Sequence, residues 1–204
     1  PNRGRYWVDF LTTVAVANAV FVVYLRAEAL TVQIPAFLIC GLAMFRAVAF
    51  THELTHRREN GFKSFSIAWN VLCGIPFLIP SFLYGDHRGH HANHAYGTWA
   101  DPEYLMRRSG PRLGTAIFLL FAAIYPVLAL VRFLLLAPLA MVSARVNRLV
   151  WTYASSLYVM NESYRREYNS AASSSSRWVL EIASSVWAWA IALLVLSHSA
   201  PWDV

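Results

Sequence analysis

The chain has 204 residues, 57% of them hydrophobic, with a mean hydropathy of +0.42 and a formal charge of +6. That apolar share exceeds the roughly 45–50% of ordinary soluble domains, and much of it falls in runs long enough to face lipid, so an integral membrane protein is expected and a soluble one excluded. The arginines cluster beside apolar segments, where the positive-inside rule and anionic headgroups account for them; no separate basic stripe marks a nucleic-acid binder. Cys40 and Cys73 lie inside apolar stretches without a C-x-x-C spacing and are expected as buried thiols.

Residues 7–25 (WVDFLTTVAVANAVFVVYL) form a first expected span, flanked by Arg3 and Arg5, with Asp9 near the interface. Residues 32–51 form a second and return the chain to the starting side; Arg46 falls in its last turns, where the long stem can reach the headgroups. The chain then enters HELTHRREN, with Arg57, Arg58 and Lys63 close behind, which by the positive-inside rule makes this side cytoplasmic. Residues 65–84 are apolar, but Gly74, Pro76 and Pro80 interrupt a straight helix. A re-entrant or interfacial segment is expected there, keeping DHRGHHANH on the same side as HELTH. Residues 113–142 are long enough to span, yet Arg132 would be costly at mid-bilayer and Pro126 and Pro138 break the run. A kinked or interfacial arrangement is expected, leaving SARVNR and NESYRREYN on the cytoplasmic side. SAASSSS reads as a Ser-rich linker, and residues 178–197 as a last span with Trp178, Trp187 and Trp189 near an interface. There is no internal repeat and no signal-peptide cleavage pattern. The expected fold class is all-α, an integral membrane helical bundle forming one domain over 1–204.

HELTH, residues 52–56, matches the zinc-protease pattern H-E-x-x-H. His52 and His56 are four apart, so on a helix they share a face and can aim two imidazoles at one metal. Alone, the spacing equally suits two polar residues ending a helix at the interface. A second cluster follows in DHRGHHANH, where His87, His90 and His91 have i, i+3, i+4 spacing and His94 adds i+7; six of the seven histidines fall in these two clusters. Metal binding is the expectation. A catalytic zinc takes three protein ligands, so this many imidazoles implies two ions. Nitrogen ligands suit iron, zinc, copper and nickel alike. A site at the mouth of a membrane domain would meet lipid chains, whose C–H bonds need activated oxygen rather than hydrolysis, and a pair of irons is the economical inference.

HELTH followed by HRGHH resembles histidine boxes one (H-x-x-x-H) and two (H-x-x-H-H) of the membrane fatty acid desaturase and hydroxylase superfamily. GIPFLIPSFLYGDHRGHHANHAYGTWADPEYL is similar to that family's segment around box two, including Asp101-Pro102-Glu103, and MNESYRREY is similar to a stretch of bacterial desaturases; the likeness covers roughly residues 35–170. It implies a bundle of transmembrane helices capped by a cytoplasmic histidine cluster holding two irons, in a bacterial inner membrane rather than the endoplasmic reticulum. It further implies a membrane lipid or acyl-chain substrate, O2 as co-substrate, and electrons from a ferredoxin or cytochrome-type donor. Carried over by position, His52, His56, His87, His90 and His91 are the metal ligands. His94 lies outside the box and is read as an outer partner or merely exposed. The leading reading is a fatty acid desaturase, which removes two hydrogens from neighbouring CH2 groups and leaves a C=C bond. The alternative within the superfamily is an alkane or lipid hydroxylase or a carotenoid ketolase, since HRGHH is also reminiscent of alkane hydroxylases. The family's third box, another H-x-x-H-H, is missing, and the lone His198 is expected on the opposite face of the membrane. A returning span and the third box are therefore expected beyond Val204, with the chain truncated at both ends, its metal binding incomplete and activity belonging to the longer protein.

Glu53 would be the general base of a protease; in the oxygenase reading it accepts a hydrogen bond that orients a histidine. Asp86 and Asp101 could do the same or cap helix ends. Asn161 and Arg165-Arg166 could meet an acyl headgroup or phosphate, although arginines at the membrane surface without a substrate role are the stronger reading. From another class comes an intramembrane zinc metalloprotease using His52, Glu53 and His56, which leaves the second cluster unused and finds no glycine-flanked Asp in a later span. A non-catalytic subunit with structural or haem histidines is weaker still, because haem takes axial histidines from facing spans.

Overall fold

A computed structural model describes residues 3–56, 62–91, 95–103, 111–155 and 164–199. Every regular element among the described residues is helical. Among the described residues four helices are long and apolar enough to cross a membrane, Arg3–Arg26, Leu30–His56, Leu119–Val142 and Ser175–His198, and the chain is an integral membrane protein. It divides into two compact units, Pro1–Cys73 and Gly74–Val204.

In the first unit, α1 (Arg3–Arg26) and α2 (Leu30–His56) pack as a hairpin. Small buried residues, Ala17 on α1 and Ala36, Cys40 and Ala47 on α2, let the backbones approach, and the Cys40 thiol reaches the Ala17 carbonyl at 3.6 Å. Large apolar side chains such as Leu25, Leu42 and Phe45 point outward, as a lipid-facing surface requires. The short α3 (Lys63–Trp69) docks beneath the hairpin. Phe65 meets Phe10 and Phe50 with ring centroids 5.1 and 5.9 Å apart, and the buried Trp69 indole donates to the Ala47 carbonyl at 2.9 Å. This packing fixes the C-terminal half of α2, which carries the first histidine pair. Asp9 and Arg46 pair across the hairpin at 2.7 Å on its exposed side.

In the second unit the apolar stretch after Gly74 is broken, as Pro76 and Pro80 require. Leu78 takes a positive φ of 57° in a tight turn closed by Ile79 N–H on the Gly74 carbonyl at 2.7 Å. A 3-10 turn, Ser81–Tyr84, leads to α4 (His87–His90). Farther on, α5 (Pro111–Val131) continues through a π-turn at Arg132–Leu136 into α6 (Ala137–Val142). The stretch 113–142, expected as kinked or interfacial, is a helix carrying a π-turn, and its part Leu119–Val142 is long and apolar enough to cross. Arg132 is tolerated because it is buried against Glu181 of α8 (Ser175–Ser199) at 2.8 Å, its Nε donating to the Ala154 carbonyl and its Nη2 to the Ser155 hydroxyl. Ser184 and Ser185 are small enough for close packing here, and Ser185 donates to the Phe133 carbonyl at 2.6 Å. Between them, α7 (Ala144–Ala154) starts at Ser143, whose hydroxyl caps the Val146 N–H. The Ser-rich linker is likewise ordered: Asn169 caps a 3-10 turn at Ser170–Ser173, and α8 begins at Ser175. Both cysteines are free and buried, as expected.

Candidate metal centre

The first histidine pair occupies the last turn of α2, where four-residue spacing stacks His52 and His56 on one face with ring centroids 4.6 Å apart. Each offers a nitrogen within 4.8 Å of the other. Glu53 stands beside them: its Oε1 is 3.9 Å from His52 Nδ1, too long for a hydrogen bond, while its Oε2 accepts from the Tyr6 hydroxyl at 3.1 Å. The hydrogen bond expected between Glu53 and a histidine is therefore not one between Oε1 and His52 Nδ1.

The second cluster is built differently. α4 has four residues, with His91 as its C-cap, so its own hydrogen bonds cannot hold it rigid; carboxylates from the following loop do so. Glu103 binds His87 Nδ1, and Asp101 presents both oxygens to His90 Nδ1 at 3.0 Å. Asp101 is fully buried and also accepts the N–H groups of Gly97 and Glu103 at 3.0 and 2.9 Å. Gly97 needs to be glycine because it turns back at φ 73°. Burial alone would raise the Asp101 pKa, but those two backbone donors and His90 outweigh it and hold the carboxyl below its ordinary value. The loop docks through Pro102, which lies against Gly89 of α4 and leaves 3.5 Å for a methyl there. Tyr84 stacks on the His87 ring at 4.8 Å; burial, with the Glu103 charge adding to it, pushes its phenol up to about 12.

The outcome is a ligand arrangement. With Nδ1 taken by a carboxylate, His87 turns Nε2 inward, where it faces His91 Nε2 at 3.1 Å. Two such nitrogens that close need a shared proton or a cation between them, and carboxylate-buttressed imidazoles are the donor set that transition metals take. The residues therefore fit a histidine-bound metal. His90 stands to one side, its ring 6.1 Å from His87 and 5.4 Å from His91.

The chain is similar to a ceramide hydroxylase. The relative, from Caulobacter vibrioides (strain NA1000 / CB15N), is 34% identical over 193 residues, covering 94% of this chain. The chain spans about half the length of that relative, 54%. No family model matches the chain, and no solved structure does.

Among the remaining expected residues, Asp86 pairs with Arg166 at 3.1 Å rather than with a histidine. Arg166 is correspondingly buried, not a membrane-surface cation or headgroup contact, whereas Arg165 is exposed. His198 bonds the Leu194 carbonyl of its own helix at 2.9 Å. His94, Asn161, Arg57 and Arg58 lie outside the described residues. Sequence reasoning missed Glu103 as the partner of His87 and Glu181 as the counter-charge of Arg132. The signal for the first was the alternation Asp101-x-Glu103; for the second, a lone acid facing a lone arginine in two apolar runs.

Proposed function

We propose that this chain is the histidine-box portion of an O2-dependent membrane lipid hydroxylase. The observation that carries the reading is the second cluster, in which Glu103 and Asp101 occupy the Nδ1 atoms of His87 and His90 and His87 turns its Nε2 toward that of His91. Similarity to a ceramide hydroxylase over nearly the whole chain supports hydroxylation in place of the desaturation that the motifs first suggested. On this reading His52, His56, His87, His90 and His91 would hold two irons. The irons supply reductive O2 activation, and the net reaction converts a C–H bond, O2, two electrons and two protons into C–OH and water. The chain's own carboxylates, Glu103 and Asp101, hold the His87 and His90 imidazoles in one tautomer. A ceramide or a related acyl lipid is the substrate, and a ferredoxin or cytochrome-type protein the donor. Arg57, Arg58 and Lys63 support a cytoplasmic location for the boxes.

The zinc-protease alternative gives no role to Asp101, Glu103 and the histidines they buttress. Elemental analysis of the full-length protein, paired with product analysis on ceramide-containing membranes, tests the proposal. About two irons per chain and an added hydroxyl are expected. One zinc and no iron would overturn it in favour of hydrolysis, and a product with a new double bond would restore desaturation.

A further inference from the structure

Arg166 lies far from the histidines in sequence and touches none of the proposed ligands, yet it contacts most of the turn that launches them. Its Nε pairs with Asp86 at 3.1 Å, the residue immediately before His87, and its Nη1 donates to the Phe82 carbonyl at 2.9 Å. On the other side the same Nη1 donates to the Ser155 carbonyl, the guanidinium lies 3.8 Å from the centre of the Trp151 ring, and the Arg166 N–H binds the Thr152 carbonyl at 3.3 Å. The segment around it is strapped along α7 by Trp151 Nε1 to the Glu167 carbonyl and by Asn147 to the Tyr168 hydroxyl. Ser155 is fully buried and accepts from Arg132 through its hydroxyl, so the line of contacts runs from Glu181 in α8 through Arg132, Ser155 and Arg166 to Asp86.

Gly85 gives an independent sign that the guanidinium's position is specified. A methyl group there would stand 2.8 Å from Arg166 Nη2, closer than real contacts allow, and 3.3 Å from the Phe82 carbonyl. The turn admits the guanidinium only because residue 85 has no side chain. α4 is too short to set its own orientation, and Glu103 and Asp101 fix how the rings rotate, not where the helix starts. We infer that Arg166 is a positioning residue: it clamps the 82–86 turn onto the end of α7 and so sets where His87 and His91 stand for the metal. This rests on the metal reading of the preceding section.

The test is Co2+ titration of the full-length protein, followed by visible absorption, with metal-free melting measured alongside. Removal of an outer partner typically weakens metal affinity by about 10–100-fold. Arg166→Lys, which keeps the charge but loses the fork, is expected to weaken Co2+ binding at least about tenfold within that range and to alter the ligand-field bands. Gly85→Ala, which keeps the arginine but displaces it, is expected to do the same. In the Arg166→Lys background, Gly85→Ala should add little further loss, because the atoms it would strike are gone. Wild-type affinity and bands in both variants would overturn the inference, even if their melting temperatures fell, since that would mark Arg166 as support for the fold alone. Failure of the unaltered protein to bind Co2+ would instead overturn the metal reading itself.

Discussion

In the first unit His52 and His56 end a 27-residue helix whose backbone fixes their spacing, whereas in the second His87 and His90 occupy a four-residue helix with His91 at its cap. Beside the histidines of the long helix stands Glu53, which accepts from the Tyr6 hydroxyl. The short one is held by Glu103, Asp101, Tyr84, Pro102 and the Arg166 clamp. The same contrast holds for charges. Asp9 and Arg46 form a single exposed pair in the first unit, while Arg132, Arg177 and Glu181 are all but fully buried in the second, within 2.8–3.4 Å of one another through Glu181 Oε1. A cluster that lacks a rigid element of its own is made rigid by buried polar groups, and the cost of disturbing it should be correspondingly larger.

The sharpest way to break this comparison is Glu181→Ala. It strands two buried arginines, and removing one partner of a buried pair typically costs about 3–5 kcal/mol. A large loss of stability in detergent unfolding, or failure of the protein to accumulate in membranes, is expected; a shift within error would show the network to be hydrated. Next comes Asp101→Asn, which keeps the shape but weakens the hold on His90, and should lower metal affinity about 10–100-fold in a Co2+ titration. Glu53→Gln addresses the other cluster by the same titration. Because Glu53 Oε1 stands 3.9 Å from His52 Nδ1, against 3.0 Å between Asp101 and His90 Nδ1, a loss smaller than that of Asp101→Asn is expected, and an equal or greater loss would erase the distinction between the two clusters. The smallest effect is expected for Asp9→Asn, since exposed ion pairs contribute little: the melting temperature should scarcely move, and a drop matching that of Glu181→Ala would refute the contrast in burial.

Much of the helical layout was legible in the sequence because lipid exposure writes itself into composition: the spans near 7–25, 32–51 and 178–197 all appear as longer helices. The histidines were legible because two clusters of imidazole in an apolar chain serve no packing purpose. Arg132 left the reading of 113–142 open between a kinked and an interfacial helix, since a charge in an apolar run signals an interface unless its counter-charge is known, and Glu181 lies 49 residues away. The Ser-rich stretch misled, because serine permits a flexible linker but also caps and close helix packing, as at Ser143 and Ser185. Arg166 looked like one more membrane-surface cation.

By itself, then, the sequence determined that this is an all-helical membrane protein carrying two histidine clusters, because hydropathy and i, i+4 spacing are local properties that no distant contact can alter. Which acid serves which base was decided only by the tertiary structure. Asp86 belongs to Arg166, Asp101 to His90, Glu103 to His87 and Glu181 to Arg132, pairings that arise when the burial of a charge compels it to find a partner wherever the fold brings one within reach.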